Sequence, residues 1–370
     1  MQTRYNVKDY GAYGDNKADD TNAIKNAITA ASAGGVVYFP RGTYKVTAEL
    51  AITSKWISLQ GDGRGLTSIY FSGPQGIRIE NGWYNTISQM SILAAGPLDT
   101  LIRLKNCDAA TVEDVYITAQ TNAVTNGILI EGGGNYKNRI YTVDLDGNQK
   151  MTNGIAIGND LGFSQGIYAH NVECAGMNGA GYFILNAGGV NLTDCEVLDS
   201  DAGLVLYPGA GMQIKGMQLE NCLFDTCTKY GMALLDNGGS VNSFQAANCW
   251  ASSTKSGPGV IIGCKGTGFL FTGCQAANNG QHGWRIDTGS TGALPTGISF
   301  SNCGAWGNSQ QTVNTYSGFS VVNNATDFVI TGGYSGNYSP FGFNNQKYGI
   351  EIGTGTDRYA VTNILANGNT

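Results

Sequence analysis

Charge is what this chain has least of: Asp, Glu, Lys and Arg supply only 13% of its 370 residues, and acids outnumber bases 27 to 21. A net charge of −6 leaves no basic stripe to meet phosphates, which excludes a nucleic-acid partner. No apolar run approaches the roughly 20 residues of a membrane helix, so no membrane partner is expected. The opening residues, Met1 to Val7, lack the apolar core of a secretion signal. Among nine cysteines there is no Cys-x-x-Cys, which removes the redox and zinc motifs built on that spacing, and no metal or other cofactor is implied. What fills the chain instead is glycine, 55 residues of it, with Asn, Thr, Ser and Gln. That composition suits many tight turns and a surface made for hydroxyl-rich ligands.

The glycines are periodic. Ten of them open short apolar-alternating strands, at Gly76, Gly127, Gly154, Gly181, Gly203, Gly231, Gly259, Gly283, Gly318 and Gly349. The steps are 51, 27, 27, 22, 28, 28, 24, 35 and 31 residues, and Thr100 to Leu104 divides the first into 24 and 27. A second repeat lies between them, as in Val190-x-Leu192-x-Asp194-Cys195, Met217-x-Leu219-x-Asn221-Cys222 and Phe244-x-Ala246-x-Asn248-Cys249. Two or more strands per period of this length predict an all-β parallel β-helix, whose coils stack at about 4.8 Å. We expect about 10–12 coils in one domain over 1–370, with 1–45 as a capping segment and 46–370 as coils. Cys195, Cys222, Cys249, Cys274 and Cys303 share one position of the second repeat, which predicts a ladder of free core thiols rather than disulfides, and hence folding in a reducing compartment.

The first 45 residues read differently. Asp20 or Thr21 should cap a short helix carrying Ala23, Ile24, Ala27, Ile28 and Ala31, and Val36 to Phe39 should be the first buried strand. The run Asn6-Val-Lys-Asp-Tyr-Gly-Ala-Tyr-Gly-Asp, then Ala18-Asp-Asp-Thr21, then Gly34-Gly-Val-Val-Tyr-Phe-Pro-Arg-Gly-Thr-Tyr44 resembles the opening of the pectate-lyase-like superfamily. Ser58-Leu-Gln-Gly-Asp-Gly-Arg-Gly65 is similar to that superfamily's second coil. The resemblance implies a right-handed β-helix acting on polysaccharide, by hydrolysis, β-elimination or epimerisation. The Asn-x-Asp, Asp-Asp, Gly-His-Gly and Arg-Ile-Lys set of its polygalacturonase-like members is absent, since His282-Gly283 follows Gln281. The epimerase Asp-Pro-His-Glu is absent too. What remains nearest is the phage tailspike group, which implies a homotrimeric depolymerase in a phage virion tail, made in the bacterial cytoplasm, or a secreted protein if a signal has been removed.

Aligning the coils puts Tyr168, His170, Gln218, Glu220, Gln245 and, past the turn, Glu173, Glu196 and Trp250 on one outward face. Glycoside hydrolysis needs one carboxylic acid to protonate the leaving oxygen and one carboxylate to attack or to activate water. Glu196 and Glu220 are the expected pair, with Glu173 and Asp199 as substitutes. Tyr168, His170, Gln218, Gln245 and Trp250 are expected to hold sugar. This face, as aligned, shows no Lys or Arg, which counts against a lyase. Asn171, Asn221, Asn248 and Asn302 are expected to form an internal amide ladder, and Arg285 with Asp287 a surface ion pair. Outward positions Leu129, Ala156, Phe183, Val205, Ala233 and Ile261 make an apolar stripe, the face by which three chains would pack.

Overall fold

The computed structural model describes residues 2–120, 123–159, 162–288, 292–336 and 345–369. They form a right-handed parallel β-helix of about 13 turns, slightly more than the 10–12 expected. By contact density the chain resolves into two compact units, Met1–Gly179 and Ala180–Thr370.

In the first unit, one sheet stacks the glycine-led strands Leu50–Thr53, Ile77–Glu80, Leu98–Lys105, Val124–Glu131 and Met151–Ile157. Their register runs Ile52, Ile79, Leu104, Ile130, Ile157, one apolar residue per coil. The glycine before such a strand is required by close approach: a Cβ on Gly76 would lie 2.1 Å from the Leu101 carbonyl oxygen. The other sheet stacks Thr86–Ala94, Thr111–Ala119, Asn138–Asp146 and Ser164–Ala175. Each of these is bent by one left-handed residue, Gln89, Asp114, Thr142 or Asn171, with φ between 52° and 56°. The bend lets residues three apart, such as Val112 and Val115, both face the core, so strict alternation fails there. Val143, which alternation puts outside, is fully buried for this reason.

The capping helix is Thr21–Ala30, packed on the neighbouring 3-10 turn and on the strands Arg4–Asn6 and Leu50–Thr53. Asp20 stands at its N-cap but makes no capping bond. Its carboxylate instead accepts from the backbone N–H of Tyr13 and Gly14, at 2.7 and 3.1 Å, and so fastens the preceding turn.

The second unit repeats the plan. Its glycine-led sheet runs in register through Tyr182, Leu204, Met232, Val260, Trp284, Phe319 and Ile350. Its core is aromatic: Phe271 stacks on Phe300 at 5.2 Å and Trp284 on Phe319 at 6.0 Å. Trp284 is thus core, with its indole N–H satisfied by the Gly304 carbonyl at 2.9 Å. All nine cysteines are buried and free, and in the ladder the Cys249 N–H points at Cys274 Sγ, 3.4 Å away. Burial pushes the Cys227 and Cys264 thiols up to about 12.

The asparagines and the apolar stripe depart from expectation. Asn221, Asn248 and Asn302 are exposed, as is Asn171 in the first unit; all four occupy the left-handed bend, so they are structural through backbone conformation and not as an internal ladder. The buried amide ladder is elsewhere, from Asn279 through Asn308 to Gln346. The apolar stripe is also shallower than expected. Leu129 and Ala156 in the first unit and Ala233 in the second are buried within the chain, leaving Phe183, Val205 and Ile261 half-exposed.

Candidate functional site

The outward positions beside the left-handed bend carry the polar chemistry, because the inward ones are committed to the core. In the second unit, Gln218 and Gln245 lie side by side in adjacent coils and are exposed. Glu220 closes the same strand, Gln213–Glu220, directly before the bend at Asn221. Glu196 opens the short strand Glu196–Leu198 beyond the bend one coil earlier, where its register partner in the next coil is Leu223. Leu223 in turn pairs with Trp250, which is 42% exposed. The two glutamates therefore flank one bent corner. Neither has an ion pair or a side-chain hydrogen bond among the described residues.

Asp199 stands apart from the pair. It is a left-handed residue at the next turn, its backbone N–H donating to Thr226 Oγ1 at 3.0 Å, and Asp201 beside it pairs with Lys229 at 2.9 Å. Two residues on the Trp250 side escaped the sequence reading. Asp225 accepts from Ser252 Oγ at 2.8 Å, and Trp306 meets Trp250 edge-on with ring centres 6.0 Å apart. Asp225 follows its cysteine by three positions, and this distance from the aligned strand hid it.

In the first unit, Tyr168, His170 and Glu173 lie along Ser164–Ala175. Tyr168 is 38% exposed, His170 meets the Tyr141 ring edge-on, and Glu173 sits in register with Asp144 of the preceding coil. The same face holds an arginine, contrary to expectation. Arg64, from the loop after Ile57–Gly61, pairs through Nε with Asp114 at 3.0 Å and through Nη1 with Asp144 at 2.5 Å, and also donates to the Thr142 carbonyl. Coil alignment could not find it, because it reaches the face from a loop some 50–80 residues earlier in the chain. Arg285 and Asp287 do form the ion pair expected of them, at 2.6 Å.

A model of the rhamnogalacturonase A/epimerase, pectate-lyase-like family matches residues 4–205, more than half of the chain. The chain belongs to this family. Mannuronan C5-epimerase AlgE5 of Azotobacter vinelandii is 28% identical over 298 residues, which cover 76% of this chain and 25% of that protein. The chain spans at most a quarter of the length of the curated relatives it matches. Tailspike protein 3 of bacteriophage CBA120 superposes with a TM-score of 0.68 at 13% identity, covering 98% of this chain and 59% of that one. The catalytic unit of an α-1,3-glucanase from Streptomyces thermodiastaticus superposes with a TM-score of 0.55 at 15% identity, covering 81% and 68%. At these identities the two structures show a shared fold. Their chemistry does not follow from it.

Proposed function

We propose that this chain is a carbohydrate-active enzyme, a tailspike-type depolymerase that hydrolyses glycosidic bonds of a bacterial surface polysaccharide with Glu196 and Glu220. The observation that carries the reading is the bent corner of the second unit, where two carboxylates without described partners flank the bend beside an exposed tryptophan and a row of glutamines. One carboxyl group protonates the leaving oxygen and the other attacks the sugar or activates water. Trp250 offers a ring face to the apolar side of a pyranose, and Gln218 and Gln245 both donate to and accept from hydroxyls. Glu173, Tyr168 and His170 extend the same chemistry on the first unit, with Asp199 as a further substitute. The activities for which the similar proteins are named, mannuronan epimerisation and α-1,3-glucan cleavage, support a polysaccharide as substrate.

A second reading is favoured by Arg64. An arginine held between two aspartates, with Glu173, His170 and Tyr141 on the same unit, is the equipment for removing a proton beside a uronate carboxylate, the step shared by lyases and epimerases. A non-catalytic adhesin is the third alternative. A panel of capsular, O-antigen and uronate polysaccharides separates them: new reducing ends without an unsaturated uronate chromophore mean hydrolysis, with it elimination, an inverted uronate C5 without chain cleavage epimerisation, and binding with none of these an adhesin. Under the first reading, Glu220→Gln abolishes turnover and keeps glycan binding and melting temperature, since an exposed amide swap costs at most about 0.5 kcal/mol. Full activity in both Glu196→Gln and Glu220→Gln removes the assignment. We further propose a virion location and assembly as a homotrimer of single-domain chains, through the half-exposed Phe183, Val205 and Ile261.

A further inference from the structure

On the other sheet of the second unit, a cavity of about 510 Å³ is lined by His282, Arg285, Tyr316, Asn323, Glu351 and Thr354, among others. Its floor is the outward face of the strands Trp284–Ile286, Phe319–Val321 and Ile350–Ile352. Register stacks Arg285, Ser320 and Glu351 in one column, so the guanidinium and the carboxylate stem from coils two steps, roughly 10 Å, apart. His282 stands at the rim, only 8% exposed. Its Nδ1 accepts from the Ser317 backbone N–H at 3.0 Å, which fixes the tautomer with the proton on Nε2. The Tyr316 ring braces the imidazole edge-on at 5.1 Å. Ser317 Oγ donates to one Glu351 oxygen at 2.8 Å and so sets the carboxylate's orientation, while its other oxygen has no partner among the described residues.

We propose that this cavity is a binding site for a neutral saccharide, distinct from the Glu196/Glu220 corner and independent of which chemistry that corner performs. Its volume lies within the range of small-molecule sites. Donor-bearing side chains, His282 and Arg285, line it together with an acceptor oriented by Ser317, Glu351, and a hydroxylated ring satisfies both kinds at once. Tyr316 adds an aromatic surface for the apolar side of a sugar. Charge decides against an acidic ligand. Arg285 is already neutralised by Asp287 and the imidazole is uncharged, which leaves Glu351 as the net charge of the site.

The chain has only two histidines, His170 and His282, so ring-labelled histidine gives two NMR signals, assigned with the His282→Asn variant. The intact protein is titrated to millimolar concentration with hexasaccharides of glucose, galactose, mannose, rhamnose and N-acetylglucosamine, and with hexagalacturonate. We expect a saturable shift of the His282 signal with at least one neutral hexamer, weakened about tenfold or more in Glu351→Gln and in Tyr316→Ala. No His282 shift with any neutral hexamer, an unchanged affinity in both variants, or tighter binding of hexagalacturonate overturns the proposal. Movement of the His170 signal alone overturns it as well, while leaving the Glu196/Glu220 reading standing. Loss of turnover in the Glu→Gln variants reports on that reading separately.

Discussion

Asn308→Ala should destabilise the second unit far more than Asn302→Ala, although the two asparagines are six residues apart. Asn308 is fully buried. Its Oδ1 accepts from the backbone and side-chain nitrogens of Asn279, at 3.1 and 3.0 Å, and its Nδ2 donates to the Ala276 carbonyl and to Gln346 Oε1, at 3.0 and 3.2 Å. Alanine strands the Asn279 backbone N–H away from water and takes one bond each from the Asn279 amide, the Ala276 carbonyl and Gln346 Oε1. At about 1–3 kcal/mol for a buried orphan and about 1 kcal/mol for each further bond lost, the loss should be about 3–5 kcal/mol. Asn302 is exposed with φ 52°, so alanine there costs about 1 kcal/mol of left-handed backbone preference, and glycine should be neutral or better. The assay is urea unfolding followed by tryptophan fluorescence in a Trp56→Phe, Trp83→Phe background, which leaves Trp250, Trp284 and Trp306 as probes of this unit. A loss for Asn308→Ala within about 0.5 kcal/mol of that for Asn302→Ala would refute the distinction between the two sets of amides.

Other outcomes follow from the same structure. All nine cysteines should resist a thiol reagent in the native state and all react after denaturation without reductant; a shortfall in the denatured count means a bridge. Burial, aided by the Arg285 charge, holds His282 down at about 4, so it is neutral when folded and protonates near 6.5 when unfolded. Between those values the unfolded chain binds the extra proton; stability is complete above about pH 6.5 and falls by up to about 3 kcal/mol as pH drops toward 4. Urea midpoints across that window should flatten in His282→Gln, and an unchanged slope would remove the attribution. Light scattering should give a trimer mass that Phe183→Asp with Ile261→Asp reduces; a monomer mass at micromolar concentration contradicts the proposed assembly.

The coil period was legible in the sequence because the core enforces it. A glycine recurs where a Cβ would strike the next coil, as at Gly76 and Gly203, and one apolar residue per turn must meet its neighbour, as from Tyr182 to Ile350. Cysteine burial was legible for the same reason. The bend was harder to read: a single left-handed residue breaks alternation without changing composition, so strict alternation puts the buried Val143 outside, and the exposed asparagines were expected inside. The capping helix was placed correctly, but the use of Asp20 was not, since its partners Tyr13 and Gly14 lie in the turn before it.

The candidate site was legible only in part, because outward positions answer to a ligand and to neighbouring loops, and neither leaves a period. Gln218, Gln245 and Glu220 fall where coil alignment puts them, on one strip. Arg64 and Glu351 do not announce themselves, since each acquires its partners from elements far away in the chain: Asp114 and Asp144 for the arginine, Ser317 for the glutamate. The hydrolase reading rests on carboxylates whose side chains have no described partner to hold them, so substrate itself must complete their geometry. The elimination reading rests on a preorganised arginine whose charge is already engaged by two aspartates, so a uronate must displace at least one of them to reach it. Asp144→Asn frees that arginine without touching the second unit. Under elimination it should change the affinity for uronate polymers, and under hydrolysis at Glu196 and Glu220 it should leave turnover where it was.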